Sequence, residues 1–108
     1  EDVVEQTKNN KTITAVFALN YGGRDELRRA IRKAPDPEEF EQYLDTKDIP
    51  DPELIIRTGG EQRLSGFLLW QSEYSEFYFP KWYMPEFTVG RFDEAIEEFQ
   101  SRTRRLGK

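Results

Sequence analysis

The loop RTGGEQRLSGF, residues 57–67, carries more hydrogen-bond donors than a simple connection needs. It follows the apolar run LII, leads into the apolar run FLLW, and contains Arg57, Arg63 and Ser65. The two guanidinium groups are forked cationic donors, the hydroxyl adds another donor, and glycines let backbone amides come close to a ligand. This set of donors predicts a site for a phosphate or a diphosphate.

Spacing alone leaves a second interpretation of this loop open. Arg63 and Ser65 are two positions apart and share a side if the segment is extended, while Arg57 leaves the preceding strand near its carboxyl end. Alternatively, Arg57 and Arg63 pair with Glu61 and with other acids on the surface. A Walker motif is excluded, because no lysine followed by serine or threonine comes after the second glycine.

Glu76 is the second position of chemical interest, because aromatic residues surround it in the segment YSEFYF. A carboxylate among aromatic side chains is costly to bury without a partner, and a divalent cation bound to a diphosphate would be such a partner. In the alternative interpretation, Glu76 points outward from an alternating strand into solvent.

Composition limits which chemistry and which partners are available. The chain has 108 residues, about one domain, with neither cysteine nor histidine, so thiolate and imidazole chemistry are excluded. Carboxylates, arginines, hydroxyls and a bound metal remain. The net charge of -5 argues against a nucleic-acid binder that neutralises many phosphates. No apolar run approaches the roughly 20 residues that span a bilayer, and the charged start is no signal peptide, so we expect a cytosolic protein.

Apolar periodicity and capping residues predict alternating strands and helices along the chain. The predicted elements are a buried strand Thr12–Asn20, an amphipathic helix over 24–34, a short helix capped by Asp36 and reaching Leu44, a strand Glu53–Thr58, a helix Phe67–Tyr74, an extended segment Glu76–Phe79, and a helix capped by Thr88 and continuing to Leu106. The segment FLLWQSEYSEFYF is ambiguous between helix and strand, because its apolar residues occur on every face. Leu27, Ala30, Ile31 and Ala34 form the apolar face of the first helix, and Arg102, Arg104, Arg105 and Lys108 complement the end of the last.

Strands that alternate with helices predict a parallel sheet, whose ligands bind beyond the carboxyl ends of the strands. Both glycine pairs, Gly22-Gly23 and Gly59-Gly60, fall at such ends. Sheets usually contain about five or six strands, so two strands and their helices are too few to cover themselves. We therefore expect the C-terminal part of a larger α/β domain.

Five blocks of the sequence, in order, resemble the C-terminal half of the cis-prenyltransferases, the undecaprenyl diphosphate synthase family. These blocks are NYGGRDEL from Asn20, LIIRTGGEQRLS from Leu54, FLLWQ from Phe67, YSE from Tyr74, and Trp82 with PEF from Pro85. Gly66 stands where the family commonly has asparagine, a change expected to loosen the start of the helix predicted from Phe67.

The resemblance implies a role for each predicted site residue. Arg57, Arg63 and Ser65 match the residues that hold the diphosphate of isopentenyl diphosphate, Glu61 matches a supporting glutamate, and Glu76 matches a glutamate that helps to hold Mg²⁺. The family's catalytic aspartate lies in an MDGNRR-like loop of the N-terminal half, and no such motif occurs in this chain. Residues 1–108 are thus expected to be the C-terminal fragment of a single domain, inactive alone.

The resemblance also implies the reaction and the partners of the whole protein. Isopentenyl diphosphate is condensed onto an allylic diphosphate to make a long-chain polyprenyl diphosphate, by a homodimer working in the cytosol against the membrane surface. Two other functions remain open: a non-catalytic partner subunit of a cis-prenyltransferase complex, or a generic α/β module for phosphorylated metabolites. Retention of the diphosphate-binding set argues against the partner subunit, which would lack it.

Overall fold

The structure is a computed structural model that describes residues 2–102. Its elements, in chain order, are α1 (Asp2–Thr7), α2 (Gly23–Lys33), a 3-10 helix (Pro37–Tyr43), β1 (Leu54–Ile56), β2 (Glu76–Tyr78), a second 3-10 helix (Met84–Glu86) and α3 (Val89–Gln100). None of the helices in this part of the chain has the length and apolar composition needed to cross a membrane.

The two strands form a parallel sheet, as predicted, although both are shorter than the predicted segments. Leu54 lies opposite Glu76 and Ile56 lies opposite Tyr78. Parallel neighbours require a long crossover connection, here residues 57–75. The donor-rich loop is the first part of this crossover and begins at the carboxyl edge of the sheet.

Capping residues set the starts of two helices, and both predictions are confirmed. The Asp36 carboxylate accepts a hydrogen bond of 3.0 Å from the amide of Glu38, and Thr88 Oγ1 accepts one of 3.2 Å from the amide of Arg91. Each cap satisfies an amide that has no partner within its helix. The helix that follows Asp36 is a 3-10 helix, and α3 ends at Gln100. Its predicted continuation to Leu106 is wrong for Ser101 and Arg102, which are not helical. The rest of that continuation, and the basic residues Arg104, Arg105 and Lys108, lie outside the described residues.

Helix α2 is confirmed, and its predicted apolar face is confirmed in part, because Ala30 is buried and Leu27 and Ala34 are half-buried. Gly23, Glu26 and Ala30 are buried, whereas Ile31 is 56% exposed. The helix packs against the 3-10 helix Pro37–Tyr43, and donors from Tyr21, Asp45 and Gln71 hold the Glu26 carboxylate in the interior. The apolar pattern did not indicate that Glu26 faces inward, because the charged positions of the helix were all assigned to the solvent side.

The predicted strand Thr12–Asn20 is wrong for the part of the chain that the structure describes. The segment 13–18 has no regular secondary structure, and Ile13, Phe17 and Leu19 are 80%, 79% and 84% exposed. A strand requires a neighbour for its backbone groups, and no strand in residues 2–102 pairs with this segment.

The predicted helix Phe67–Tyr74 is also wrong. Residues 65–74 form a succession of turns, in which Leu68 has a φ of 50°. A right-handed helix cannot continue through a residue in the left-handed region, so the helical pattern is interrupted near its start. The extended segment predicted from Glu76 is confirmed as β2.

Candidate functional site

Arg57 lies immediately beyond the carboxyl end of β1, where its backbone amide donates a hydrogen bond of 3.0 Å to the carbonyl of Tyr78. Its side chain turns toward the rest of the loop. Nη1 donates to Ser65 Oγ at 3.0 Å and also to the backbone carbonyl of Arg63. The structure therefore brings Arg57 and Ser65 into direct contact across eight positions of sequence.

The guanidinium of Arg57 keeps donors for a ligand. A guanidinium has five N–H groups, and the described contacts of Arg57 involve only Nη1. Within residues 2–102 no carboxylate pairs with it, so the surface-pairing alternative is wrong for this arginine. Its charge and its remaining N–H groups can serve an anion.

A cavity of about 300 Å³ adjoins this pair. Its lining consists of Ile55, Ile56, Arg57, Leu64, Ser65 and Phe67. Most of these side chains are apolar, and one cation and one hydroxyl provide the polar groups. Such a cavity suits a ligand with an anionic head and a small hydrocarbon part.

Arg63 is arranged differently from Arg57. Its Nη1 donates to the Glu61 carboxylate, and these side chains are 67% and 50% exposed. The surface-pairing interpretation therefore describes Arg63 correctly in this structure. Exposed ion pairs are worth only about 0–1 kcal/mol, so a diphosphate can compete with Glu61 for this arginine.

The glycine pair of the loop shapes the backbone without offering its amides to a ligand. Gly59 and Gly60 have φ values of 96° and 83°. Their amides donate to the carbonyls of Trp82 at 2.8 Å and Pro80 at 3.0 Å. These bonds attach the loop to the segment after β2, so the predicted contribution of amides to anion binding does not come from this pair.

Glu76 lies at the other end of the sheet from Arg57. It is paired with Leu54 at the start of β2, and three residues of a strand span about 10 Å. Its carboxylate meets Arg102 Nη1 at 3.4 Å, and the Glu76 side chain is 23% exposed. The same guanidinium group donates to the carbonyl of Phe77 at 2.6 Å.

The described residues do not by themselves fit a magnesium centre at Glu76. The carboxylate already faces a cation, and no group of three acids, histidines or cysteines gathers anywhere in residues 2–102. Mg²⁺ is commonly held by one or two carboxylates together with substrate phosphates, but Glu76 lies away from the anion site of Arg57 and Ser65.

Comparison with known proteins decides the family. The model of a prenyltransferase family described as "Putative undecaprenyl diphosphate synthase" matches residues 1–107. The chain belongs to this undecaprenyl diphosphate synthase family. It is 48% identical over 118 residues to an isoprenyl transferase of Thermotoga maritima, covering 99% of this chain and 51% of that protein. An isoprenyl transferase of Agrobacterium fabrum is 46% identical over 120 residues, covering 99% of this chain and 49% of the relative.

Solved structures of prenyl diphosphate synthases share the fold. A probable undecaprenyl diphosphate synthase from Campylobacter jejuni superposes with a TM-score of 0.83 at 38% identity, over 98% of this chain and 53% of that one. The lavandulyl diphosphate synthase from Lavandula x intermedia, in complex with dimethylallyl diphosphate, gives 0.86 at 35% identity, over 96% and 50%. The chain thus spans about half the length of the relatives that it matches.

This member of the undecaprenyl diphosphate synthase family also has a buried polar group that the sequence reasoning missed. Glu26 is 1% exposed and accepts hydrogen bonds from the Tyr21 hydroxyl, the amide of Asp45 and Gln71 Nε2. Glu26 is three residues after Gly23 and four before Ala30, so a helical wheel would have placed it on their face. The Asp45 amide and Gln71 Nε2 are 19 and 45 positions away from Glu26 in the sequence. No local sequence pattern could therefore indicate these two hydrogen bonds.

Proposed function

We propose that this chain is the C-terminal half of a cis-prenyltransferase domain and binds the diphosphate of isopentenyl diphosphate. The observation that carries the proposal is the contact between Arg57 and Ser65 at the carboxyl edge of the sheet, beside a cavity of about 300 Å³. Family membership and the relative solved with dimethylallyl diphosphate support the same class of ligand.

The shape and polarity of the cavity support a small isoprenoid diphosphate. Arg57 and Ser65 provide charge-assisted and neutral donors for the diphosphate, while Ile55, Leu64 and Phe67 provide apolar surface for a five-carbon group. Arg63 joins them by leaving Glu61, which makes Glu61 a supporting residue that holds the arginine near the site before the substrate binds.

In the proposed reaction this chain positions the nucleophilic substrate. The double bond of isopentenyl diphosphate attacks the allylic carbon of the second substrate. A carbon–carbon bond forms, the bond between that carbon and its diphosphate oxygen breaks, inorganic diphosphate leaves, and a proton is lost from the extended product. Arg57, Arg63 and Ser65 hold the diphosphate so that the double bond lies in line with the allylic carbon, which lowers the barrier through proximity and orientation. No residue of this chain is assigned to the bond-breaking step, so the chain alone is expected to be inactive.

Isothermal titration calorimetry on the full-length enzyme tests the proposed site. Arg57→Ala and Arg63→Ala each remove charged hydrogen bonds worth roughly 1.5–3 kcal/mol, so the Kd for isopentenyl diphosphate should rise about 10- to 100-fold. Arg32→Ala is the matched control, because Arg32 is an exposed arginine in the last turn of α2. An unchanged Kd for Arg57→Ala would contradict the site.

Magnesium at Glu76 is proposed from the family resemblance alone. Because Arg102 faces this carboxylate in the described residues, we assign no step to the metal. Measuring the activity of the full-length Glu76→Gln variant against Mg²⁺ concentration tests the assignment. A metal ligand predicts a shift of the activity curve to higher Mg²⁺, whereas a curve identical to that of the parent would remove Glu76 from the metal site.

The homodimer, the cytosolic location and the contact with the membrane surface are proposed on the same basis. Light scattering on the full-length protein tests the dimer, and a monomeric mass at micromolar concentration would contradict it. Cell fractionation tests the location, with recovery in the soluble and loosely bound membrane fractions expected. A protein released only by detergent would contradict peripheral association.

A further inference from the structure

We propose that Glu26 is a positioning residue for the anion site, acting through Gln71 and Tyr21 on the segment that begins with Ser65. The inference rests on the proposed function, which assigns Arg57 and Ser65 to the diphosphate. It adds a residue of α2 that makes no contact with the proposed ligand.

Glu26 is the one large side chain in residues 2–102 that is fully buried, although it carries a carboxylate. Oε1 accepts from the Tyr21 hydroxyl, Oε2 accepts from the amide of Asp45 at 2.8 Å, and Gln71 Nε2 lies 3.2 Å from both oxygens. A buried carboxylate is tolerated only when donors surround it. Donors from three separate segments therefore converge on a single group of α2.

Hydrogen bonds to α2 hold both ends of the turns that follow Ser65, and the bond at the far end is made by Glu26. At the near end, the amide of Gly23 donates a hydrogen bond of 2.8 Å to the carbonyl of Gly66. At the far end, Gln71 is bonded to Glu26 and also donates to Thr46 Oγ1 at 2.9 Å. The segment between Gly66 and Gln71 is thus attached to α2 at two points.

Tyr21 provides a third attachment that reaches the cavity itself. Its ring meets Phe67 edge-on at a centroid distance of 5.8 Å, and Phe67 lines the cavity beside Arg57 and Ser65. Burial, the hydrogen bond to Glu26 and the charge of Glu26 raise the pKa of the Tyr21 phenol above its ordinary range. Tyr21 therefore stays protonated and remains a donor to Glu26 at neutral pH.

The backbone beside and between these attachments needs support. Ser65 and Leu68 have φ values of 52° and 50°, which non-glycine residues rarely adopt. Such conformations cost of order 1–3 kcal/mol each and persist only where the surroundings over-determine them. When the Glu26 contacts are weakened, the segment can relax and carry the Ser65 hydroxyl away from Arg57. A displacement of about 1 Å at a binding group can cost as much as about 100-fold in rate.

An exchange of the two partner side chains separates positioning from stability. In full-length Glu26→Gln, the new side-chain amide has an NH₂ group in place of one carboxylate oxygen. This group faces the Asp45 amide or Gln71 Nε2, which are themselves hydrogen-bond donors. In the double variant Glu26→Gln with Gln71→Glu, one carboxylate and one carboxamide again face each other in the same space. We expect the single variant to raise the KM for isopentenyl diphosphate about 10-fold, which is less than the loss of about 100-fold that a misplaced binding group can cause. Its kcat should stay within about two-fold of the parent value. The double variant should recover most of the lost affinity.

Thermal unfolding is measured on every variant, with Glu39→Gln as an exposed control of the same chemistry. A Glu26→Gln variant that loses Tm but keeps the KM of the parent would overturn the inference, because Glu26 would then act on stability alone. A double variant as impaired as the single one would also overturn it. If Glu26→Gln does not fold, Tyr21→Phe removes one donor and keeps the ring against Phe67, and an unchanged KM in that variant is equally decisive.

Arg57→Ala in the same assay distinguishes this inference from the proposed function. If Arg57→Ala raises KM and Glu26→Gln does not, only the positioning role fails. If Arg57→Ala leaves KM unchanged, the proposed anion site fails, and the role of Glu26 fails with it.

Discussion

Ser65 illustrates, at the scale of single residues, how binding chemistry and stability can oppose each other. Its hydroxyl accepts a hydrogen bond from Arg57, yet its φ of 52° lies in the left-handed region. Glycine adopts this region readily, whereas for other residues it costs roughly 1 kcal/mol or more. We therefore expect Ser65→Gly to raise the Tm of the full-length enzyme while weakening its affinity for isopentenyl diphosphate.

Ser65→Ala is the matched control for this prediction, because it removes the same hydroxyl and keeps a Cβ. Calorimetry should give both variants a similar loss of affinity, and thermal unfolding should show a raised Tm for the glycine variant only. A glycine variant with the Tm of the alanine variant would show that the backbone of Ser65 is not strained.

Local spacing predicted that Arg57, Arg63 and Ser65 form one set of donors, because all three belong to one loop that begins at the end of a strand. It placed Ser65 on the same side as Arg63, whereas the structure places the Ser65 hydroxyl in contact with Arg57. It did not predict the arrangement of Arg63, since an exposed arginine two positions from an acid can face either that acid or a ligand. The pairing of Glu76 with Arg102 joins residues 26 positions apart and depends on how α3 packs near β2. No periodicity within either element encodes that contact.

At the scale of elements, Gly23 sets how closely α2 approaches the turns that follow Ser65. A Cβ at this position would collide with the carbonyl oxygen of Gly66 and would lie 2.8 Å from Leu69 Cγ. Backbone must then move, because such distances are far below contact distance. Overpacking of this kind typically costs about 1–3 kcal/mol, so Gly23→Ala should lower the unfolding free energy by that amount and also weaken diphosphate binding.

Gly90→Ala is the control for the Gly23 substitution. The nearest atom to its new Cβ is Thr88 Oγ1 at 3.9 Å, and alanine is favoured over glycine in a helix. Denaturant unfolding of the full-length protein should show a neutral or stabilising change for Gly90→Ala. A Gly23→Ala variant as stable as the parent would mean that α2 can move away from Gly66.

Asp45 links α2 to the chain after the 3-10 helix and predicts a dependence of stability on pH. The hydrogen bond from Arg29, together with the charge of Arg29, holds the pKa of Asp45 below its ordinary value. A carboxyl whose folded pKa is lowered contributes stability above its unfolded pKa, about 3.9, and loses it as pH falls through the folded pKa. The stability advantage over Asp45→Asn should therefore be constant above about pH 5 and shrink below about pH 4.

Urea unfolding of the full-length protein and of Asp45→Asn between about pH 3 and 7 measures this difference. Because the Arg29 and Asp45 side chains are partly exposed, at 37% and 44%, the difference should be small and should decrease with added salt. A difference that grows as the pH falls would contradict the sign of the shift.

Elements with local signals were predictable, and elements that depend on distant partners were not. Asp36 and Thr88 mark their helices through caps, and the apolar run LII marks β1, whereas β2 lies in a segment whose pattern was ambiguous between helix and strand. The turns over 65–74 depend instead on attachments to α2, which override a helical pattern. The segment 13–18 has the composition of a strand but lacks a neighbour in the described residues.

At the scale of the whole molecule, the dimensions and the exposed apolar surface support the proposal of a half-domain. The radius of gyration is 16.0 Å, whereas a compact domain of about 100 residues has about 13 Å. Buried apolar side chains are few in the described residues: Ala30, Leu44, Ile55 and Ala95. The sheet has two strands, and parallel sheets are normally covered on both faces.

The exposed segment 13–18 is where a larger domain would add its remaining strands. Ile13, Val16 and Phe17 are at least 61% exposed here, although a strand with apolar residues on both faces is typical of the interior of a parallel sheet. We therefore predict that Ile13 is buried in the full-length protein. If Ile13 is buried there, Ile13→Ala should lower the free energy of unfolding by about 2–5 kcal/mol. A side chain that is 80% exposed, as in this structure, would cause a much smaller loss.

Ile31→Ala is the matched control, since Ile31 is 56% exposed on the outer side of α2. Surface substitutions usually change stability by no more than about 0.5 kcal/mol, so denaturant unfolding of the full-length protein should separate the two isoleucines clearly. Hydrogen exchange adds an independent measurement, because pairing in a sheet would protect the amides of residues 13–18. If Ile13→Ala costs no more than about 0.5 kcal/mol and these amides exchange freely, the segment is not a strand of the larger sheet.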